Sequence, residues 1–162
     1  MCLCAWPCFT LPQKVDAMPL MVEKISEGTV IDHIKAGAGM KVLAILSDAY
    51  PLSKMAALIM NAHSRKFGRK DIVKIEGVFL DEKIANRISL VAPSATINMI
   101  RNSKVSGKRQ VKMPDTLTGI LKCPNPMCIT NLERAETSFL RVNDRHLRCR
   151  HCERLFSPEE LA

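Results

Sequence analysis

Four cysteines are spaced for one particular piece of chemistry. Cys123 and Cys128 are separated by four residues and Cys149 and Cys152 by two, with twenty residues between the pairs. Two short loops that each present two thiolates form the layout of a tetrahedral Cys4 zinc site. Pro124 and Pro126 stiffen the first loop. Four protein ligands leave no open coordination position, so the metal is expected to be structural, one Zn2+ per chain, and not catalytic. A module of about forty residues has little core, and metal binding would supply much of its folding energy. His151 lies between two of these ligands and is expected to face solvent. Cys2, Cys4 and Cys8 crowd the N-terminus. The odd total of seven cysteines and the lack of a signal-peptide pattern argue against a secreted disulfide framework and for a cytoplasmic chain.

A second set could hold a nucleotide. Asp32 and His33 lie on one predicted strand, Lys74 on another and Lys108 on a third, with Arg69, Lys70 and Arg109 close by in sequence. Ammonium groups suit phosphates, and a carboxylate suits ribose hydroxyls. Adjacent strand residues point to opposite faces. Asp32 and His33 can therefore share a surface only where the strand is twisted or bulged. The residues alone fit solvated lysines and a capping Asp somewhat better than a nucleotide site. No Walker loop, G-x-S-x-G or H-E-x-x-H occurs, and no nucleophile or paired acid and base stands out. The expectation is a chain that is not an enzyme.

The elements that position these residues come from 162 residues, 47% hydrophobic and 25% charged. That balance is of a globular protein with one or two small domains. No unbroken apolar run exceeds the six residues of 55–60, far below the roughly 20 a bilayer requires, so no membrane is expected. The net charge is +8, and residues 65–112 account for all of it, with twelve Lys/Arg against four Asp/Glu. Such a segment suggests a polyanionic partner. A nucleic-acid-binding zinc-ribbon protein is the alternative function. It would normally carry its positive charge on the ribbon, yet residues 120–162 hold seven Lys/Arg and six Asp/Glu. Aromatics are only 4%, too few for stacking platforms, so no nucleic acid is expected.

The pattern predicts strands at 28–34, 69–76, 95–101 and 104–109, and helices at 36–47 and 82–91. Asp81 is the expected N-cap of the second helix, Pro93 its stop, and Asn102-Ser103 a turn. Residues 55–62 fit helix or strand by pattern, and pairing favours strand. The order β-α-β-β-α-β-β gives an α+β fold: a ferredoxin-like antiparallel sheet with two helices, followed by a small C-terminal β zinc-binding domain. Residues 113–115 are the expected linker. Residues 1–20 are expected to be a disordered extension or a misassigned start, 21–114 a nucleotide-binding domain and 115–162 the zinc domain. Leu117, Ile120 and Leu121 are candidates for the seam between the domains, or only for anchoring the zinc module's first strand.

GTVIDHI at 28–34, GRKDIVKIE at 68–76, APSATIN at 92–98 and the four cysteines occur in that order. Together they resemble the aspartate carbamoyltransferase regulatory chain of the archaeal and enteric type. The resemblance runs from about Val22 to Phe156. It implies a noncatalytic chain of pyrimidine biosynthesis that dimerises through its N-terminal domain. The zinc domain would dock on the catalytic chain, with two catalytic trimers bridged by three regulatory dimers. CTP would inhibit and ATP activate at one allosteric site. By motif, Asp32, His33, Lys74 and Lys108 match residues of that site, Lys108 towards the phosphates and Lys74 towards ribose and base. Val22, Ile25, Asn98, Ile100 and Val105 match secondary contacts. Ser103, Lys24 and Met127 depart from the family pattern, whereas Asn125 keeps it.

Overall fold

The computed structural model describes residues 24–66, 68–133 and 135–161. The expected N-terminal extension, with Cys2, Cys4 and Cys8, and Val22 lie outside the described residues. Seven elements build the first unit: β1 (Gly28–Lys35), α1 (Gly39–Ala49), β2 (Ala56–Ser64), β3 (Gly68–Glu76), α2 (Glu82–Val91), β4 (Thr96–Arg101) and β5 (Lys104–Gln110). Their sheet runs β2-β3-β1-β4-β5, every pair antiparallel. This is the ferredoxin-like arrangement with β5 added beside β4.

Alternation sets the two faces. Val73, Ile75, Ile31 and Ile97 point to one face and are buried with Val42 and Leu46 of α1 and Ile88 of α2. Residues of intermediate burial, among them Val30, Lys74 and Asn98, occupy the other face. The ambiguous run at 55–62 is a strand because β3 supplies its hydrogen-bond partner. Asp81 caps α2, its carboxylate accepting the Ile84 N–H at 2.8 Å. Asn102 and Ser103 both have positive φ, 51° and 59°, as a two-residue hairpin turn requires.

The first helix begins at Gly39, three residues later than its apolar pattern suggests. The cause lies on β3. Asp71 sits at an inward-facing position beside Val73 and is fully buried. Its Oδ2 accepts the Gly37 N–H at 2.8 Å and the Gly39 N–H at 3.0 Å, and its Oδ1 accepts the Asn61 N–H at 2.9 Å. It therefore does the work of a local N-cap, which Ala38 cannot do. The helix entry must come close: a Cβ on Gly39 would lie 2.7 Å from Leu58 Cδ1 and 2.9 Å from Asp71 Cβ.

The second unit contains β6 (Thr116–Thr118), α3 (Ile129–Leu132), β7 (Ser138–Asn143), β8 (His146–Cys149), β9 (Leu155–Phe156) and α4 (Pro158–Leu161), with sheet order β6-β7-β8-β9. Leu117, Leu121, Phe139, Leu147, Phe156 and Leu161 form its core with Cys123, Cys128 and Cys149. Leu117 and Leu121 thus anchor the metal module itself, with Ile120 packed alongside. Contact with the first unit runs through α2, whose Leu90 is buried in this second core while α4 packs against the helix. Among the described residues, no helix is long and apolar enough to cross a membrane.

Candidate functional site

The metal cage is built by two knuckles. One lies between β6 and α3 and the other at the end of β8. The sulfurs of Cys123, Cys128, Cys149 and Cys152 all lie within 4.8 Å of one another. The Cys123–Cys152 and Cys128–Cys149 sulfur pairs are 3.8 Å and 3.9 Å apart. A tetrahedral zinc–thiolate site, with bonds of about 2.3 Å, requires sulfurs roughly 3.8 Å apart. Disulfides would need about 2.05 Å. All four residues are free cysteines, and the donor set fits structural zinc. His151 is exposed, and its Nε2 lies 3.0 Å from the Glu136 carbonyl, outside the cage.

Local structure fixes the first knuckle. The Asn131 side-chain amide donates to the carbonyls of Cys123 at 2.9 Å and Asn125 at 2.8 Å. The buried Asn125 side chain accepts the Met127 N–H at 3.2 Å. Burial pushes the Cys123 thiol up to about 12. Burial acts in the same direction on Cys152, but the Arg154 N–H and the Asn125 side chain outweigh it and set that thiol at about 7. A metal entering the cage displaces the protons still held, so zinc binding weakens as pH falls.

The open face of the first sheet carries the other candidate residues. Register places Lys74 of β3 beside Val30 of β1, Val30 beside Asn98 of β4, and Asn98 beside Lys108 of β5. Directly opposed residues share a face. Lys74, Asn98 and Lys108 therefore form one row, the two lysines spanning three strand spacings or roughly 14 Å. Neither ammonium has a salt-bridge or hydrogen-bond partner among the described residues. Ile100 and Val105 pair in the next row, with Val105 strongly exposed. Ile25 is buried in the segment before β1.

Asp32 and His33 do share a surface, because β1 is bulged between Ile31 and Ile34 and His33 has φ of 61°. The His33 Nδ1 lies 3.2 Å from Asp32 Oδ2. Sequence reasoning left Lys70 at the margin, yet its ammonium lies 2.7 Å from Asp32 Oδ1 and 2.9 Å from Oδ2. The signal was parity: residues 70 and 74 are both outward on the same strand. Burial acts to raise the Asp32 pKa. The Lys70 ammonium, with the His33 N–H, overcomes it and holds the carboxyl below its ordinary value. Lys70→Met removes the ammonium and leaves the burial opposed chiefly by the His33 N–H, so the Asp32 titration midpoint is expected to rise. Carboxyl-detected NMR across an acid titration measures it, and an unmoved midpoint would show that the ion pair does not form in solution.

Fold and cage together define an α+β unit joined to a small β module closed by a four-cysteine cage. Comparison with protein families gives this class its particular form. Residues 20–112 match the family described as "Aspartate carbamoyltransferase regulatory chain, allosteric domain", and residues 115–162 match "Aspartate carbamoyltransferase regulatory chain, metal binding domain". Relatives named aspartate carbamoyltransferase regulatory chain include that of Pyrococcus horikoshii, 52% identical over 149 residues and covering 88% of this chain and 95% of the relative. That of Saccharolobus solfataricus is 47% identical over 145 residues, covering 88% and 91%. The chain belongs to the aspartate carbamoyltransferase regulatory chain family and is noncatalytic.

Proposed function

We propose that the open sheet face of the first unit binds CTP as inhibitor and ATP as activator. Lys108 takes the phosphates, Lys74 lies towards ribose and base, and Asp32 with His33 holds the ribose end. Asn98, Ile100, Val105, Ile25 and Val22 complete the contacts. One observation carries this reading: two unneutralised lysines stand in the same cross-strand row as Asn98. Such a row matches a ligand with a polyanionic end and a polar body.

The chain acts in the cytoplasm in an assembly of two catalytic trimers and three regulatory dimers. It pairs with itself through the nucleotide unit, 21–114, and docks on the catalytic chain through the metal unit, 115–162. A nucleotide shifts that assembly only by its unequal affinity for two quaternary states, commonly about 1–3 kcal/mol. The packing offers a route. The Ser94 hydroxyl donates to the His33 carbonyl at 3.3 Å, and Ser94 follows the end of α2 that inserts Leu90 into the second core.

Calorimetry tests the site. Lys108→Ala is expected to weaken both CTP and ATP by about 2–3 kcal/mol, through loss of a charge-assisted contact. Lys74→Ala should alter their ratio as well. Unchanged affinity in Lys108→Ala would move the phosphates towards Arg69 and Lys70. Mixing the chain with its catalytic trimer, and following mass and activity with and without CTP, tests the assembly.

A further inference from the structure

Behind the metal ligands lies a hydroxyl that the cage does not require for coordination. Cys128 is the N-cap of α3, with extended backbone at φ −70° and ψ 136°. This turns its sulfur back over the first turn of the helix. Thr130 sits in that turn and is buried, 6% exposed. Its Oγ1 lies 3.2 Å from the Cys128 sulfur, in a contact where both side chains are buried. The sulfur is the hydroxyl's hydrogen-bond partner within the fold. Buried hydroxyls need a partner, and here a ligand sulfur fills that role.

We infer that Thr130 is a metal-retaining residue, its hydroxyl donating to the Cys128 thiolate and slowing loss of the ion from the cage. Four thiolates around one divalent ion leave excess negative charge in a buried core. A donor aimed at one sulfur spreads that charge. It also orients the ligand, and removing such groups behind metal ligands typically lowers affinity about 10–100-fold. The four ligands are unequally protected. Cys128 is 1% exposed and held by Thr130, whereas Cys152 is the least buried of the set. Opening of the cage therefore starts at Cys152. The first knuckle, with Thr130 on the sulfur and Asn131 on two carbonyls, keeps hold of the ion and permits recapture.

The test uses the full zinc-loaded chain and a chromogenic chelator in excess. Thr130→Val, close in shape but without the hydroxyl, is expected to release zinc about 10–100 times faster. Thr130→Ser, which keeps the hydroxyl, should release it at nearly the wild-type rate. Wild-type release from Thr130→Val, or equal acceleration in both variants, would overturn the inference. A second measurement needs no variant. In wild-type chain loaded with the spin-active isotope of cadmium, the Thr130 hydroxyl proton should show a scalar coupling to the metal through the Cys128 sulfur. Absence of that coupling would also overturn it, whatever the fate of Thr130→Val.

Discussion

Cys149→Ala is expected to unfold the second unit and leave the first folded. Cys149 is fully buried, and its sulfur completes the cage from β8, the strand that pairs with both β7 and β9. Structural zinc contributes about 10–16 kcal/mol in small zinc modules, as much as or more than the total stability of an ordinary domain. The apolar core here is small: Leu117, Leu121, Phe139, Leu147, Phe156 and Leu161, with Leu90 borrowed from α2. Elemental analysis should find less than one zinc per chain. Heteronuclear NMR should lose the dispersed signals of residues 116–161 and keep those of Ile31, Val73 and Ile97. Retained dispersion without metal would mean that this core suffices alone.

Asp71→Ala is expected to destabilise the first unit by about 3–5 kcal/mol. The carboxylate accepts three backbone N–H groups, and hydrogen bonds to a charged group contribute roughly 1.5–3 kcal/mol each. The sum is an upper bound, because Gly37 and Asn61 are exposed and can turn their N–H groups to water, whereas Gly39 is buried. Asp71→Asn should lose about half as much. An amide can still accept on one side, but its NH2 would face donors on the other. Urea unfolding of the full chain, read from signals of the first sheet, measures both. A loss under about 1 kcal/mol for Asp71→Ala would show that the helix entry is set by Gly37 and Gly39 without the carboxylate.

The order of the first seven elements was legible in the sequence because its signals were local. Alternation marked β3, Asp81 and Pro93 bracketed α2, and Asn102-Ser103 marked the hairpin. The cysteine spacing likewise specified the cage, since metal geometry tolerates few arrangements. What the sequence concealed depends on contacts between distant segments. The start of α1 is decided by Asp71, 32 residues from Gly39 in the chain. A carboxylate on the apolar side of a strand was the available clue. Asp32 and His33 can share a surface only at a twist or bulge, and no residue type announces the bulge that β1 forms there. Lys70 was visible by parity alone, and its partner Asp32 is 38 residues away.

A β-strand counts its residues in twos, and β1 miscounts once. Ile31 and Ile34 both enter the core although three positions separate them. The odd residue is absorbed at Asp32–His33, so the two halves of the strand run out of phase with each other. Deleting one residue there would restore regular alternation with Ile31 and Ile34 two positions apart and both still inward, and would remove the bulge where Asp32 and His33 meet. Removing two would make Ile31 and Ile34 neighbours and turn one side of the strand to the wrong face. The core could spare the extra residue and the polar pair could not: Asp32 and His33 meet because β1 holds one residue more than its partner strand can match.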